Sequence, residues 1–353
     1  MSLAPRNPTR DSTNRSKRRR RREREQTFDS INSHTESGVD VEYEGLARRV
    51  NDIPVGDLRN SPKFNVDDVP RFLPVGCLNF LKRKGILLGE GTFGKVYFAK
   101  EKQSDLPVAV KVFKDQTDFD LAVREARITA ALSESGIGPK FIGLVDLSSV
   151  KFLKKGIKKK KYHALGMVTQ FIGDPVNRKT ITLSDALTTL PKQVQDISLV
   201  IDWLRLFVKL AMKLAKLHNL GFVFNDLHDD NVILSEPIDD NTDVFIIDYG
   251  KVTVSGSSFG FSYYVDPSER KKHVLRYPQH PPEYFEGKPS TASSDVYSFG
   301  ALLKAADMPK WLNITDLVDD CLAVQRSERP TMDEVEKKLR QCLKTLPMLF
   351  KRR

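Results

Sequence analysis

A glycine-rich run lies between two strand-like segments in the first third of the chain. The sequence around it reads KGILLGEGTFGKVYFAK, with glycine at positions 89, 91 and 94. Glycine has no Cβ atom, so the backbone of such a run can approach a phosphate group closely. A dinucleotide-binding fold needs a helix directly after this run, whereas here VYFAK and then VAVKVF continue as strands. The context therefore excludes that fold and predicts a phosphate-binding β-hairpin.

Composition and periodicity change along the 353 residues of the chain. Residues 1–80 are polar and lack sustained periodicity, so we predict a disordered basic N-terminal region. Residues 81–172 read as short strands with one helical run, LAVREARITAAL, whose Leu121, Glu125, Ile128 and Leu132 share one face. Residues 173–353 read as mainly helical. The predicted class is α+β and bilobed, with a small antiparallel sheet that carries one helix and a larger, mainly helical lobe.

Two basic clusters account for much of the net charge of +11. The first, Lys17–Arg24, fits a nuclear-import signal, a contact with nucleic acid or another acidic partner, or a solubilising tail. The second, Lys151–Lys161, lies between two apolar segments, 141–147 and 164–171, which we predict to be paired strands. A solvated hairpin tip is the favoured interpretation of this second cluster, and contact with an acidic partner is the alternative.

Cysteine content and hydropathy bear on the compartment of the protein. Cys77, Cys321 and Cys342 are odd in number and too scattered for a disulfide framework or a metal site. No apolar run reaches the roughly 18 residues that a membrane span needs, and the N-terminus is polar. We expect an intracellular chain without a membrane span, in the cytoplasm, the nucleus or both.

A long amphipathic stretch is predicted to form a helix from about Leu199 to Asn219. Its basic residues recur on one side and its apolar residues on the other. A helix of this kind can bind a membrane surface. The favoured interpretation is a helix packed in the larger lobe, because its apolar face leads directly into the next polar motif.

Two polar clusters follow strand-like apolar residues in the C-terminal half. The first is NDLHDDN, from Asn225 to Asn231, and the second is DYG, from Asp248 to Gly250. Phosphoryl transfer needs an acceptor for the proton of the substrate hydroxyl and oxygen ligands for Mg²⁺. Asp and Asn side chains supply both, so these clusters indicate a phosphotransferase.

The order and spacing of these motifs resemble the eukaryotic protein kinase family over roughly residues 83–340. The resemblance implies that Asp226 is the catalytic base, because the family places its metal-binding Asn five residues later, at Asn231. It also implies that Asp248 binds Mg²⁺ and that Lys111 contacts the α- and β-phosphates of ATP while paired with Glu125. Residues 81–172 would then be the ATP-binding N-lobe, and residues 173–353 the C-lobe with the catalytic loop.

The resemblance further implies a binding surface for ATP. Val96 and Ala109 would cover the adenine ring, Ile233 would lie beneath it, and Thr169 would be the gatekeeper before the hinge. The residues implied to contact ATP are Gly89, Glu90, Gly91, Thr92, Phe93, Gly94, Val96, Ala109, Lys111, Thr169, Gln170, Ile172 and Ile233.

Three matches in the C-terminal part extend the resemblance. Pro281, Pro282 and Glu283 stand where the family has Ala-Pro-Glu, and Arg329 is implied to be the ion partner of Glu283. The segment SSDVYSFG, residues 293–300, is implied to form a central buried helix with Asp295 at its start.

Two residues of the catalytic loop depart from the family pattern. Asn225 replaces an Arg that in many kinases pairs with a phosphorylated activation loop, so we predict little dependence on such phosphorylation. His228 replaces the Lys typical of serine/threonine kinases, and an imidazole with a pKa near about 6.5 would make its contribution to catalysis depend on pH.

The departures leave several functions open. A Ser/Thr acceptor is weakly favoured over a tyrosine or dual-specificity kinase. A catalytically inactive scaffold is a second alternative, although all five core residues are retained. A small-molecule phosphotransferase is a third, because DLHxxN also resembles antibiotic and choline kinases, but the glycine loop and Arg329 favour protein substrates.

Overall fold

A computed structural model describes residues 71–350 except 82–84, 92, 115–118, 148–149, 151–164, 190–196, 236–237, 256–264, 308–311 and 313. Both basic clusters, Lys17–Arg24 and Lys151–Lys161, lie outside the described residues, as does Thr92. The described part of the chain joins an antiparallel sheet with one helix to a larger, mainly helical region, which is the predicted α+β arrangement.

Six strands form the N-terminal sheet. They are β1 (Leu78–Asn79), β2 (Ile86–Glu90), β3 (Gly94–Glu101), β4 (Pro107–Phe113), β5 (Phe141–Asp146) and β6 (Leu165–Gln170). The order is β1-β3-β4-β6-β5, with β2 also paired to β3, and each of these pairs is antiparallel. The predicted pairing of the two segments that flank Lys151–Lys161 is confirmed, because they are β5 and β6.

The sheet begins before the predicted boundary at residue 81. Phe72 forms a bridge to Leu144, and β1 pairs with β3. Leu73, Leu78 and Phe80 are buried in a cluster with residues of β3, β4 and β6. The expectation of disorder is therefore wrong for residues 71–80, because their apolar side chains cover the outer face of the sheet and gain more from burial than ordering costs. Residues 1–70 lie outside the described part of the chain.

Helix α1 (Phe119–Glu134) packs against the opposite face of the sheet. Ala122 and Ala126, one turn apart, are buried with Leu144 and Met167. The prediction that Leu121 shares the inward face is wrong, since its side chain is 41% exposed. The small alanines bring the helix close to the sheet and turn Leu121 outward, while Glu125, Ile128 and Leu132 are buried as predicted.

The C-terminal region contains seven helices among the described residues. They are α2 (Leu183–Thr189), α3 (Ile197–Asn219), α4 (Pro267–Arg276), α5 (Pro282–Phe285), α6 (Ala292–Ala305), α7 (Thr315–Cys321) and α8 (Met332–Phe350). The small strands β7 (Ile181–Thr182), β9 (Val232–Leu234) and β10 (Val244–Ile246) form one sheet, and β8 (Phe222–Val223) pairs with β11 (Thr253–Val254).

Helix α3 lies at the centre of the largest hydrophobic cluster, with Trp203, Phe207 and Leu214 almost fully buried. Its basic side is also engaged within the protein, because Lys209 and Lys213 donate hydrogen bonds to backbone carbonyl oxygens of the segment that leads into β10. These contacts confirm the interpretation of α3 as a packed helix. Among the described residues, none of the helices combines the length and the apolar composition that crossing a membrane requires.

A buried ion pair joins α5 to the segment before α8. Arg329 Nη1 and Nη2 donate to the two carboxylate oxygens of Glu283 at 2.8 and 3.0 Å. The Ser294 hydroxyl donates a further hydrogen bond to Glu283 Oε1 at 2.9 Å. Both charged groups are shielded from water, with side-chain exposures of 0% for Arg329 and 4% for Glu283. The predicted ion partner of Glu283 is thus the observed one.

Candidate active site

The predicted glycine-rich hairpin is formed by β2 and β3. The Gly91 N–H donates to the Gly94 carbonyl at 2.9 Å and closes the turn. A Cβ atom at Gly91 would lie 3.8 Å from Asp248 Oδ2, so the tip of the hairpin lies close to this carboxylate. Phe93 is bound through its backbone to Lys114, and the carboxylate of Glu90 lies near Lys95 and Lys114. The backbone of the hairpin therefore lies beside the predicted metal ligand.

Replacing Gly94 by Ala is expected to reduce the free energy of unfolding by about 1–3 kcal/mol. A Cβ atom at this position would lie 2.6 Å from the Val112 carbonyl oxygen, so the hairpin would have to move away from β4. The matched control is Gly89→Ala, because a Cβ there has no neighbour within 4 Å. Urea denaturation of both variants measures the difference, and equal stabilities would show that the contact with β4 does not constrain the hairpin.

The register of the sheet gathers the predicted ATP-binding side chains on one face. Val96 is paired with Lys111 across β3 and β4, and Ala109 is paired with Thr169 across β4 and β6. Paired residues lie on the same face of a sheet, and residues two apart in a strand do as well. Val96, Ala109, Lys111 and Thr169 therefore share one face, opposite the buried Val108, Val110 and Val112.

Gln170 and Ile172, predicted for the hinge, follow Thr169 at and beyond the end of β6, whereas Ile233, predicted to lie beneath the adenine ring, belongs to β9. The Gln170 N–H donates to the Lys140 carbonyl at 2.8 Å, so the backbone of Gln170 is held against the segment before β5. Ile172, two residues after Gln170, is buried. Ile233 in β9 is half-buried between the buried Val232 and Leu234, and its side chain thus points away from the core of the helical region.

Lys111 links the sheet, helix α1 and the DYG segment. Its Nζ lies 2.5 Å from Glu125 Oε1 and 2.7 Å from Asp248 Oδ1. Burial alone would lower the pKa of the Lys111 ammonium group, but the charges of Asp248 and Glu125 outweigh burial and hold this pKa above its ordinary value. Burial raises the pKa of Glu125 to about 7, although Lys111 opposes the rise. Lys111 is thus a fixed cation between two acids.

Asp226 lies in the loop that the sequence predicts to be catalytic. Its carboxylate is bound by Lys251 Nζ at 2.7 Å through Oδ1, and Asn231 Nδ2 donates to its backbone oxygen at 2.9 Å. His228 Nε2 is 4.0 Å from Oδ2, too far for a hydrogen bond. Burial would raise the pKa of Asp226, but the charges of Lys251 and His228 outweigh it and lower this pKa below its ordinary value. Asp226 is therefore ionised and able to accept a proton.

Asn231 and Asp248 lie at the same end of the β9–β10 pair. Ile246 is paired with Val232, and the Ile247 N–H donates to the Asn231 carbonyl at 3.0 Å. The Asn231 amide nitrogen is used by Asp226, which leaves its amide oxygen as the atom able to bind a cation. Asp248 has φ 64°, a left-handed conformation that costs free energy in a non-glycine residue. These two oxygen donors fit the preferences of Mg²⁺.

Asn225 organises the loop from a buried position. Its backbone N–H donates to Asp295 Oδ1 at 2.8 Å, and its side-chain nitrogen donates to the Lys251 carbonyl at 2.7 Å. It has φ 68°, and Asn adopts this left-handed region more readily than most residues. Asp295, at the start of the predicted buried helix, also accepts from the Phe224 N–H at 2.7 Å. Asn225, which stands where the family has a charged Arg, thus holds the loop through hydrogen bonds instead.

Lys251 is the site residue that sequence reasoning missed. It follows Asp248 by three residues and contacts Asp226 across the catalytic loop. The available signal was a lysine directly after the DYG motif, together with the absence of lysine at position 228. The two signals are far apart in the sequence, and only the fold places them on either side of Asp226.

Comparison with known proteins shows the family to which the chain belongs. A sequence model of the protein kinase domain matches residues 83–308, well over half of the chain. The chain is 26% identical over 238 residues to the serine/threonine-protein kinase PknD of Chlamydia caviae and to that of Chlamydia felis, with 62% of this chain and 23% of each relative covered. It is 30% identical over 216 residues to the probable serine/threonine-protein kinase gdt4 of Dictyostelium discoideum, with 61% of this chain and 11% of that protein covered.

The chain belongs to the protein kinase family, whose members are ATP-dependent phosphotransferases that act on proteins. The match covers under a quarter of the length of these curated relatives. The likeness therefore concerns the kinase domain and not the remainder of those proteins.

Proposed function

We propose that this chain is an active protein kinase that transfers the γ-phosphate of ATP to a protein hydroxyl, with Ser or Thr as the acceptor. The observation that carries the proposal is the position of Lys111, whose ammonium group contacts both Glu125 and Asp248. The kinase mechanism requires the ion pair of this lysine and the metal-binding Asp to be in place together. The two contacts of Lys111 support this arrangement, because they place its ammonium group at the carboxylates of Glu125 and Asp248 together.

The roles of the residues follow from their positions. Asp226 accepts the proton of the substrate hydroxyl, because it is ionised and held by Lys251 and Asn231. Lys111 orients the α- and β-phosphates of ATP, and the backbone of the hairpin from Gly89 to Gly94 covers them. Asn231 and Asp248 would hold Mg²⁺, which when bound neutralises charge on the phosphate oxygens. Val96, Ala109 and Ile233 would enclose the adenine ring.

A catalytically inactive scaffold is less well supported. The departures at Asn225 and His228 raised this alternative, but Asn225 holds the catalytic loop together through Asp295 and Lys251. A small-molecule phosphotransferase is also disfavoured, because the Glu283–Arg329 ion pair belongs to the motif set of protein kinases.

The names of the Chlamydia and Dictyostelium relatives favour Ser/Thr over Tyr as the acceptor. Contacts of Lys17–Arg24 and Lys151–Lys161 with acidic partners, and import into the nucleus, remain predictions.

The acceptor is tested by incubating the purified chain with γ-labelled ATP, Mg²⁺ and a mixed protein substrate, followed by identification of the labelled residue type. Label on Ser and Thr is expected. Label on Tyr alone would overturn the acceptor proposal while leaving kinase activity intact, and no label on protein above an Asp248→Asn control would overturn the proposal of protein kinase activity.

Phosphatase treatment of the purified chain is expected to leave its transfer rate unchanged. Asn225 has no guanidinium group to pair with a phosphorylated loop, and its side chain is already bonded to Lys251 and Thr253. The initial rate before and after treatment measures this independence, with the phosphatase removed before the assay. Loss of most of the activity would show that a phosphorylated residue orders the site by another route.

A further inference from the structure

We propose that Lys251 supplies the cation beside the catalytic base that stabilises the transferred phosphoryl group, in place of a lysine within the catalytic loop. This inference rests on the proposed kinase function and deepens it. Lys251 Nζ lies 2.7 Å from Asp226 Oδ1, and its side chain is 17% exposed, so the ammonium group lies at the base with limited access to water.

The backbone on both sides of Lys251 is fixed by the fold. Tyr249 is buried, and its hydroxyl donates to the Ile246 carbonyl at 2.7 Å. On the other side, β11 pairs with β8 through Thr253 and Val223. The carbonyl of Lys251 itself accepts the hydrogen bond from Asn225 Nδ2. The backbone that carries Lys251 is therefore held on both sides by contacts within the protein.

The side chain at position 228 does not provide the same contact. His228 Nε2 is 4.0 Å from Asp226 Oδ2, whereas Lys251 is within hydrogen-bond distance of the other carboxylate oxygen. Lys251 thus compensates for His228: the cation that the family pattern places at position 228 comes here from the segment after DYG. Asn225, the other unusual residue, holds the backbone that presents it.

The reaction gives this cation a defined task. The hydroxyl oxygen of the substrate forms a bond to the γ-phosphorus, the bond from that phosphorus to the β–γ bridging oxygen breaks, and ADP leaves with the bonding electrons. The hydroxyl proton passes to Asp226. Negative charge on the transferred group is stabilised by hydrogen bonds that the Lys251 ammonium group donates.

Lys251→Met is expected to lower kcat by about 10²-fold, the loss typical of one oriented donor in an active site. The KM for ATP should change little, because Lys111 and the glycine hairpin remain. Lys251→Arg should retain most of the activity. Lys304→Met, at an exposed position on α6, is the matched control and should behave as the unchanged protein.

Moving the charge separates this role from a structural one. In the double variant His228→Lys with Lys251→Met, the lysine returns to the position usual in the family, and kcat should recover by about tenfold over Lys251→Met. If Lys251 merely stabilised the loop, a lysine at position 228 would not restore kcat in the double variant. Lys251→Gln, which has a shorter stem and keeps a hydrogen-bond donor but no charge, replaces the Met variant if that variant does not unfold cooperatively.

An equilibrium measurement gives a readout besides activity. MgADP should raise the melting temperature of Lys251→Met as much as that of the unchanged protein. The additional shift produced by aluminium fluoride, which with MgADP mimics the phosphoryl group in transfer, should be lost in the variant. Equal additional shifts in both proteins would overturn the role of Lys251.

The outcomes distinguish this inference from the proposed function. If the unchanged chain transfers no more label than Asp248→Asn, the kinase proposal fails and this one fails with it. If the unchanged chain is active and Lys251→Met keeps its kcat, only the role of Lys251 is wrong. A reduced kcat that returns with lysine at position 228 supports the inference.

Discussion

Replacing Asp226 by Asn is expected to lower the rate of phosphoryl transfer by about 10³-fold, within the range measured for loss of a general base. The substitution keeps the shape of the side chain but removes the negative charge that accepts the hydroxyl proton. Lys251 would lose its ionic partner, while Lys111, Glu125 and Asp248 would keep their contacts. Binding of MgADP should therefore be retained.

The measurement is the initial rate at saturating ATP, combined with titration of MgADP. Asp240→Asn is the matched control, because Asp240 is an exposed acid in the turn before β10. Full activity in Asp226→Asn would show that another group accepts the proton. Loss of MgADP binding in this variant would show that Asp226 supports the nucleotide rather than the acceptor.

Arg329→Met is expected to reduce the free energy of unfolding by about 3–5 kcal/mol, the cost typical of leaving one member of a buried ion pair without its partner. Glu283 would remain buried after losing two guanidinium hydrogen bonds, and it would keep the hydrogen bond from the Ser294 hydroxyl. Arg329 also donates to the carbonyl oxygens of Ala323 and Ser293, so the substitution would remove a hydrogen bond between the segment before α8 and α6 as well.

A double-mutant cycle with Glu283→Gln separates these contributions. The double variant should be less destabilised than the sum of the single variants, because no unpaired charge is left in the interior. Lys338→Met is the control for an exposed pair, since Lys338 and Asp320 are about half exposed at 2.8 Å separation, and it should cost under about 1 kcal/mol. A similarly small loss for Arg329→Met, measured by urea denaturation, would contradict the proposed anchoring role.

The parts of the site that were predictable are those encoded by local sequence patterns. The glycine run between strands predicted the hairpin, and the polar clusters NDLHDDN and DYG after strand-like residues indicated a phosphotransferase site. Both features depend on residues within a single turn or strand pair. The ion pairs of Lys111 with Glu125 and of Glu283 with Arg329 needed the family pattern, because their partners are 14 and 46 residues apart.

The parts that were not predictable depend on how elements meet in space. Periodicity placed Leu121 on the same stripe as Glu125, but it could not show that two alanines would bring α1 close to the sheet. Composition favoured disorder before residue 81, although a few apolar residues there cover the sheet. Lys251 lies 25 residues from Asp226, so no local pattern joined them.

The same limit applied to Asn225. Its identity showed that a guanidinium group was missing, which supported the prediction about loop phosphorylation. The left-handed backbone and the hydrogen bonds to Lys251 and Thr253 depend on β8, β11 and the DYG segment meeting at one point. The sequence showed only that Asn225 lacks a guanidinium group, whereas the fold shows that its side chain links the catalytic loop to Lys251 and Thr253.

The most direct measurement of the central claim is the rate at which the purified chain transfers phosphate from γ-labelled ATP to protein, beside Asp248→Asn under the same conditions. The Asn side chain keeps the size of Asp248 but removes the charge that contacts Lys111 and would hold Mg²⁺. A site assembled as described predicts steady incorporation by the unchanged chain and a rate lower by at least about 10²-fold in the variant. Equal incorporation by the two proteins would contradict the assignment of this site as the centre of phosphoryl transfer.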